Sequence, residues 1–302
     1  MSAKALPYVE ARARKGVWRA SRFGVLRRLS QAFFLALFLA GPLFGVWIVK
    51  GTLASSLTLG ALPLTDPYML LQSLAARHWP EATALIGASL VLGFYLLVGG
   101  RSFCAWVCPI NPATDLAAWL RRRFNMKGGA KLRPEWRNYI AIAVLIVSAL
   151  TGVVAWELAN PITALHRALV FGLWFGLSGV CAIFLFDLFV AKNGWCGHLC
   201  PVGAFYGALG KTSLLRVSAA GRAACDDCMD CFAVCPEPHV ITPALRGEKT
   251  GVGPIIASGD CTNCAACIDV CPEQVFRFAH RFDRTTIPAL ANFPPTSSLA
   301  KG

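Results

Sequence analysis

Twelve of the thirteen cysteines fall into repeated motifs, which sets the chemistry open to this chain. The C-terminal part holds Cys225, Cys228, Cys231 and Cys235, then Cys261, Cys264, Cys267 and Cys271, both as C-x2-C-x2-C-x3-C-P. Three thiolates two residues apart on one tight loop cap three corners of a cubane. The fourth, followed by proline, reaches a neighbouring one, as in chains that bind two [4Fe–4S] clusters. The spacing therefore predicts crossed sets: Cys225, Cys228, Cys231 and Cys271 for one cluster, and Cys261, Cys264, Cys267 and Cys235 for the other. A zinc ribbon uses ligands in separated pairs, without a third cysteine inside each run. A disulfide framework belongs to short secreted chains.

A second repeat lies upstream. Cys104-Ala-Trp-Val-Cys108-Pro109 returns 92 residues later as Cys196-Gly-His-Leu-Cys200-Pro201. Cysteines four apart share one face of a helix, and the prolines are expected to end both helices at one depth. If two hairpins are related by duplication, the four thiols face one another across a pseudo-twofold axis. Convergent thiolates would suit a metal or an additional iron–sulfur site by ligand softness. Two separate redox dithiols and plain packing at a helix end, as for the solitary Cys181, are the other readings. A shorter echo, Asp66-Pro67 against Asn160-Pro161, has an offset of 94.

The elements that must hold these cysteines read as membrane helices. The 302 residues are 56% apolar and only 15% charged, where a soluble domain carries about a quarter charged residues. Mean hydropathy is +0.54. Apolar runs at 32–49, 82–99, 139–158 and 168–190 are each close to the ~20 residues a span needs. Arg27-Arg28-Leu29-Ser30-Gln31 faintly resembles a twin-arginine export signal, but the run after it is long and lacks a small-residue cleavage site, so a retained helix is expected. Of the 29 Lys and Arg, 26 fall in the N-terminus, the 101–137 connection and the tail after the fourth run; only Lys50, Arg77 and Arg167 lie on the other side. The positive-inside rule then places both termini and the cysteine block in the cytoplasm. The net charge of +13 is thus a topology signal and implies no nucleic-acid partner. Trp47, Trp79, Trp136 and Trp156 read as interfacial anchors, with a place in the lining of a site as the alternative for Trp156, beside Glu157. Leu116, Trp119, Leu120 and Phe124, beside Arg121 to Arg123, read as one face of a helix lying on membrane lipid. The expected fold is a mainly α membrane protein. Its parts are a basic cytoplasmic N-terminus (1–29), a four-helix transmembrane bundle of two related hairpins (30–210), a cytoplasmic two-cluster ferredoxin-like domain (211–285) and a flexible tail (286–302).

These features, with Gly41 to Trp47, Leu64 to Pro67, Gln72 to Leu74, Phe103 to Pro109, Leu120 to Phe124, Gly194 to Gly203, Cys228 to Phe232 and Val234 to His239, resemble the polyferredoxin-like membrane proteins. Within that set the chain is most similar to the NapH-type subunits that serve periplasmic nitrate reductase. The resemblance implies a location in the bacterial inner membrane and a quinol dehydrogenase role: quinol is the electron donor, and other subunits of the nitrate reductase chain are the partners. Quinol oxidation needs proton acceptors near span ends. The candidates are Asp66, Glu157 and His166, with Gln72 and Asn160, on the outer side, and Asp187 and His198 on the inner side. A maturation factor that reduces metal centres or thiols for a respiratory enzyme is the competing reading. A transport-coupled carrier is a third, weakened by a single clear intramembrane acid, Asp187.

Overall fold

The computed structural model describes residues 7–286 except 127, 131, 173 and 284; the expected tail beyond 286 lies outside the described residues. Helix α1 (Val9–Arg19) is broken at Gly16, whose φ of 81° only glycine adopts readily. Helix α2 (Arg22–Phe44) is, among the described residues, the one helix long and apolar enough to cross a membrane. A three-stranded antiparallel sheet follows: β1 (Val49–Gly51), β2 (Ser55–Thr58) and β3 (Leu62–Thr65), with Lys50 opposite Leu57 and Ser56 opposite Leu64. The chain continues through α3 (Pro67–Ala75), α4 (Ala82–Val98), α5 (Ser102–Trp106) and α6 (Asn111–Arg123).

The second half repeats this plan with α7 (Trp136–Thr151), α8 (Ala155–Ala159), α9 (Pro161–Phe171) and α10 (Trp174–Leu185). Two π-type turns, Phe186–Val190 and Trp195–Leu199, lead to α11 (Pro201–Gly210). The aspartate–proline and asparagine–proline echoes are two equivalent helix starts. Asp66 accepts a hydrogen bond from Tyr68 N at 3.1 Å, and Asn160 accepts one from Ile162 N at 3.1 Å. In each case proline takes the first helical position, where its missing N–H costs nothing. Each half therefore carries a short helix, α3 or α9, ahead of the apolar helix, α4 or α10, that leads to its C-x3-C pair. Gly176 of α10 lies so close to α9 that an added Cβ would come 2.1 Å from the Ala164 carbonyl oxygen.

The apolar runs are cut shorter than expected. The second ends at Val98 and the third at Thr151, with Gly152 in the left-handed region. The fourth is not one helix: α9 stops at Phe171 and α10 begins at Trp174. Nor do the two prolines simply end helices. Cys108 already lies past α5, and Pro201 opens α11.

In the C-terminal part, β4 (Leu215–Ser218) pairs antiparallel with β5 (Arg277–His280). Between them lie α12 (Asp230–Val234), α13 (Ile241–Arg246) and α14 (Ala266–Val270) around a core of Val217, Ile241, Ile256, Val270 and Val275. This part is fused to the helices rather than tethered to them. An added Cβ on Gly259 would stand 2.0 Å from the Gly207 carbonyl oxygen in α11. Gly259→Ala is expected to prise the two apart at a cost of about 1–3 kcal/mol, read as a lower unfolding temperature and faster proteolysis between residues 211 and 225.

The basic N-terminus is docked as well. Lys15 Nζ donates to the carbonyls of Ile268 at 2.7 Å and Cys271 at 3.0 Å. Arg14 pairs with Glu273, and Gly24 N–H donates to Asp269 at 2.9 Å.

Candidate redox site

Twelve cysteines line three separate hollows, four to each. The first is bounded by Cys225, Cys228, Cys231 and Cys271, with Phe232 and Val275 among its walls. The second is bounded by Cys235, Cys261, Cys264 and Cys267, with Val240 and Ile256. These are the groups that crossed spacing ties together. Cys181 is exposed and stands apart.

Both loops carry the same backbone irregularity. Asp227 and Met229 in the first have φ of 54° and 66°; Asn263 and Ala265, at the matching positions of the second, have 47° and 59°. Four non-glycine residues in the left-handed region cost of order 1–3 kcal/mol each and persist where a site demands them. Such turns aim successive N–H groups inward and form anion-binding nests, as at iron–sulfur sites. The donor set fits as well. Burial pushes the thiols of Cys228 and Cys261 up to about 11 and that of Cys231 to about 12. A bound cationic centre is what would hold them as thiolates near neutral pH. Among the described residues no three His, Cys, Asp or Glu are gathered closely enough to hold a single metal ion.

Buried charge joins the second hollow to the helices. Arg101, 1% exposed, donates to Glu237 Oε1 at 3.0 Å, to the Asp260 carbonyl at 2.9 Å and to the Cys196 carbonyl at 2.8 Å. Arg137 reaches Glu237 at 3.4 Å, the Gly197 carbonyl at 3.2 Å and the Asp260 carboxylate. Burial would raise the Asp260 pKa, but the His239 hydrogen bond and the two guanidiniums outweigh it and hold the carboxyl down at about 2. Asn263 stitches the loop to the end of α4 by donating to the Val98 carbonyl at 3.1 Å, and to Leu215 at 2.9 Å.

Sequence reasoning counted Arg101 and Arg137 as topology charges and assigned Glu237 no role. Their partners lie too far along the chain for spacing to show. The available signal was local: Arg101 closes an apolar run three residues before Cys104, and Glu237 follows Cys235-Pro236.

The third hollow is lined by Cys104, Cys108, Cys196 and Cys200. Trp156 is 9% exposed, lines this hollow and stacks on Trp195 at 6.4 Å; it is no surface anchor, unlike the exposed Trp47, Trp79 and Trp136. Leu116, Trp119 and Phe124 are exposed on α6 and its end, while Leu120 is half-buried.

The expected proton acceptors separate into places. Asp66 accepts from Tyr206 Oη at 3.3 Å, and Tyr206 stacks on Phe103 at 5.2 Å, next in sequence to Cys104. Glu157 accepts from Asn160 at 3.1 Å, and its charge acts on Asp66. Gln72 accepts from Trp156 N at 3.0 Å. Burial, only partly offset by the hydrogen bonds from Tyr68 and Tyr206, raises the Asp66 carboxyl to about 6. Asp187 is elsewhere, accepting from Trp195 N at 2.9 Å at the start of the second C-x3-C turn. His166 lies against Phe38 of α2, and His198 Nδ1 is buried without a hydrogen-bond partner.

Comparison with known proteins gives the class first. A "4Fe-4S dicluster domain" family model matches residues 224–275, and a "4Fe-4S binding domain" model matches twice, at 82–127 and 173–218. The chain is an iron–sulfur, ferredoxin-type protein, and the double match falls on the two halves of the helical part. It is 50% identical to the ferredoxin-type protein NapH of Haemophilus influenzae, over 91% of this chain and 96% of that one. It is 53% identical to the methylamine utilization ferredoxin-type protein MauN of Paracoccus denitrificans, over 90% and 95%. It is also 52% identical to MauN of Methylorubrum extorquens, over 83% and 86%. The chain belongs to this family of NapH and MauN ferredoxin-type electron-transport proteins. No solved structure matches it.

Proposed function

We propose that this protein is a membrane-bound electron carrier that oxidises quinol and holds two [4Fe–4S] clusters, one in each of the crossed cysteine sets. The observation that carries this reading is the fusion of the second cysteine loop, through Asn263, Arg101 and Gly259, to helices with apolar outer faces. Phe33 on α2, Phe94 on α4, Leu150 on α7 and Trp174 on α10 are 55–83% exposed, and apolar surface on four helices of one body suits lipid. A four-helix membrane part with both termini cytoplasmic agrees with the 26-to-3 split of Lys and Arg. Arg27, Arg101, Arg121, Arg137 and Arg216 are spent in buried bonds, but the excess survives without them.

Bound cubanes would supply one-electron storage. The chain's own residues take the protons: Asp66 and Glu157, close enough for their charges to interact, are the acceptors we favour over Asp187 and His166. The test uses the full chain in proteoliposomes. Added quinol is expected to bleach the cluster absorbance; clusters reduced by dithionite but never by quinol would overturn the reading.

The NapH relatives support delivery of electrons toward a periplasmic nitrate reductase, through a partner that returns them across about 30 Å of hydrocarbon. The equally high identity to MauN proteins favours a second acceptor, in methylamine utilisation. Deleting the gene and comparing anaerobic growth on nitrate with growth on methylamine separates the two.

A further inference from the structure

We infer that Cys104, Cys108, Cys196 and Cys200 together hold a third iron–sulfur cubane, one site built from both halves of the repeat. Each match to the "4Fe-4S binding domain" model contains only two motif cysteines, and a cubane takes four thiolates. Neither half suffices alone. The fold unites them, since all four sulfurs line one hollow.

The surroundings suit a buried anionic group. Helix α9, eleven residues long, begins at this hollow, where Asn160, Pro161 and Ile162 form part of the wall. A helix start carries roughly half a positive charge. The Arg101 guanidinium, bonded to the Cys196 carbonyl, acts on Cys104 as well. That same side chain holds Glu237 and the Asp260 carbonyl beside the second hollow. The Trp156–Trp195 stack and Val202 close the hollow with apolar surface. Four free thiols would need none of this positive charge, and small packing residues would leave no hollow.

The test is a count that does not involve quinol. Full-length protein, purified without oxygen, is weighed intact by native mass spectrometry and assayed for iron and acid-labile sulfide. About twelve irons per chain are expected, four for each cubane. Cys108→Ala combined with Cys196→Ala, one ligand from each half, is expected to remove about four irons and leave about eight. Cys181→Ala, prepared alongside, should lose none. A wild-type count near eight with five alkylatable thiols, Cys181 among them, overturns the proposal without recourse to any variant. So does an unchanged count in the double variant, a loss of two irons, or a loss of zinc instead of iron.

Discussion

Asp66→Asn is expected to slow quinol-driven reduction of the clusters by about 10²–10⁴-fold, the range for removing a general base, while reduction by dithionite stays unchanged. The repeat supplies the reason why fold and chemistry separate here. Asn160 holds the equivalent position in the second half and caps α9 through the same bond, to N–H two residues on, at the same 3.1 Å. Asparagine at 66 should therefore keep α3 and lose only the ability to take a proton. The carboxyl, lifted to about 6 by burial, is poised to accept a proton near neutral pH. Glu157→Gln should produce a smaller loss, and the two together little more than Asp66→Asn if both serve one proton path. Stopped-flow mixing with reduced quinol measures all three. Full activity in Asp66→Asn would move the acceptor away from this corner.

Arg101→Met is expected to cost about 3–5 kcal/mol, the range for breaking a buried ion pair. Its loss strands the carbonyls of Cys196 and Asp260 and leaves Glu237 with Arg137 at 3.4 Å and the His239 ring at 3.7 Å. The double variant Arg101→Met with Glu237→Met should recover part of that cost, because two charges leave together. Thermal unfolding of the unaltered protein, Arg101→Met, Glu237→Met and the double variant gives the coupling directly. Additive losses would mean that the ion pair carries no interaction energy of its own.

How much of this was legible in the sequence depends on how far apart the partners lie. The ferredoxin-type loops could be read because C-x2-C-x2-C is local geometry. The two C-x3-C-P pairs showed as a repeat, yet their common hollow did not, since four residues spread over 96 positions meet only once two helical hairpins have packed. Helix α9 was missed outright: an apolar run over 168–190 scores the same whether the chain goes straight through or turns at Gly172. Asp187 stood out as a candidate because it is an acid in an apolar run; its bond to the Trp195 N–H could not be read from spacing. Arg101 and Glu237 are 136 residues apart, and each by itself resembles a surface charge.

The docking of α1 has a consequence for how the protein is made. Its partners, Ile268, Cys271 and Glu273, are among the last described residues of the chain to leave the ribosome. Helix α1 must therefore wait for a cysteine loop made about 250 residues later before it can settle, and a loop still open for iron delivery has nothing to hold it. Docking of α1 over Cys271 thus marks a closed loop, and a chain truncated before residue 268 would leave α1 bare for quality-control proteases to find.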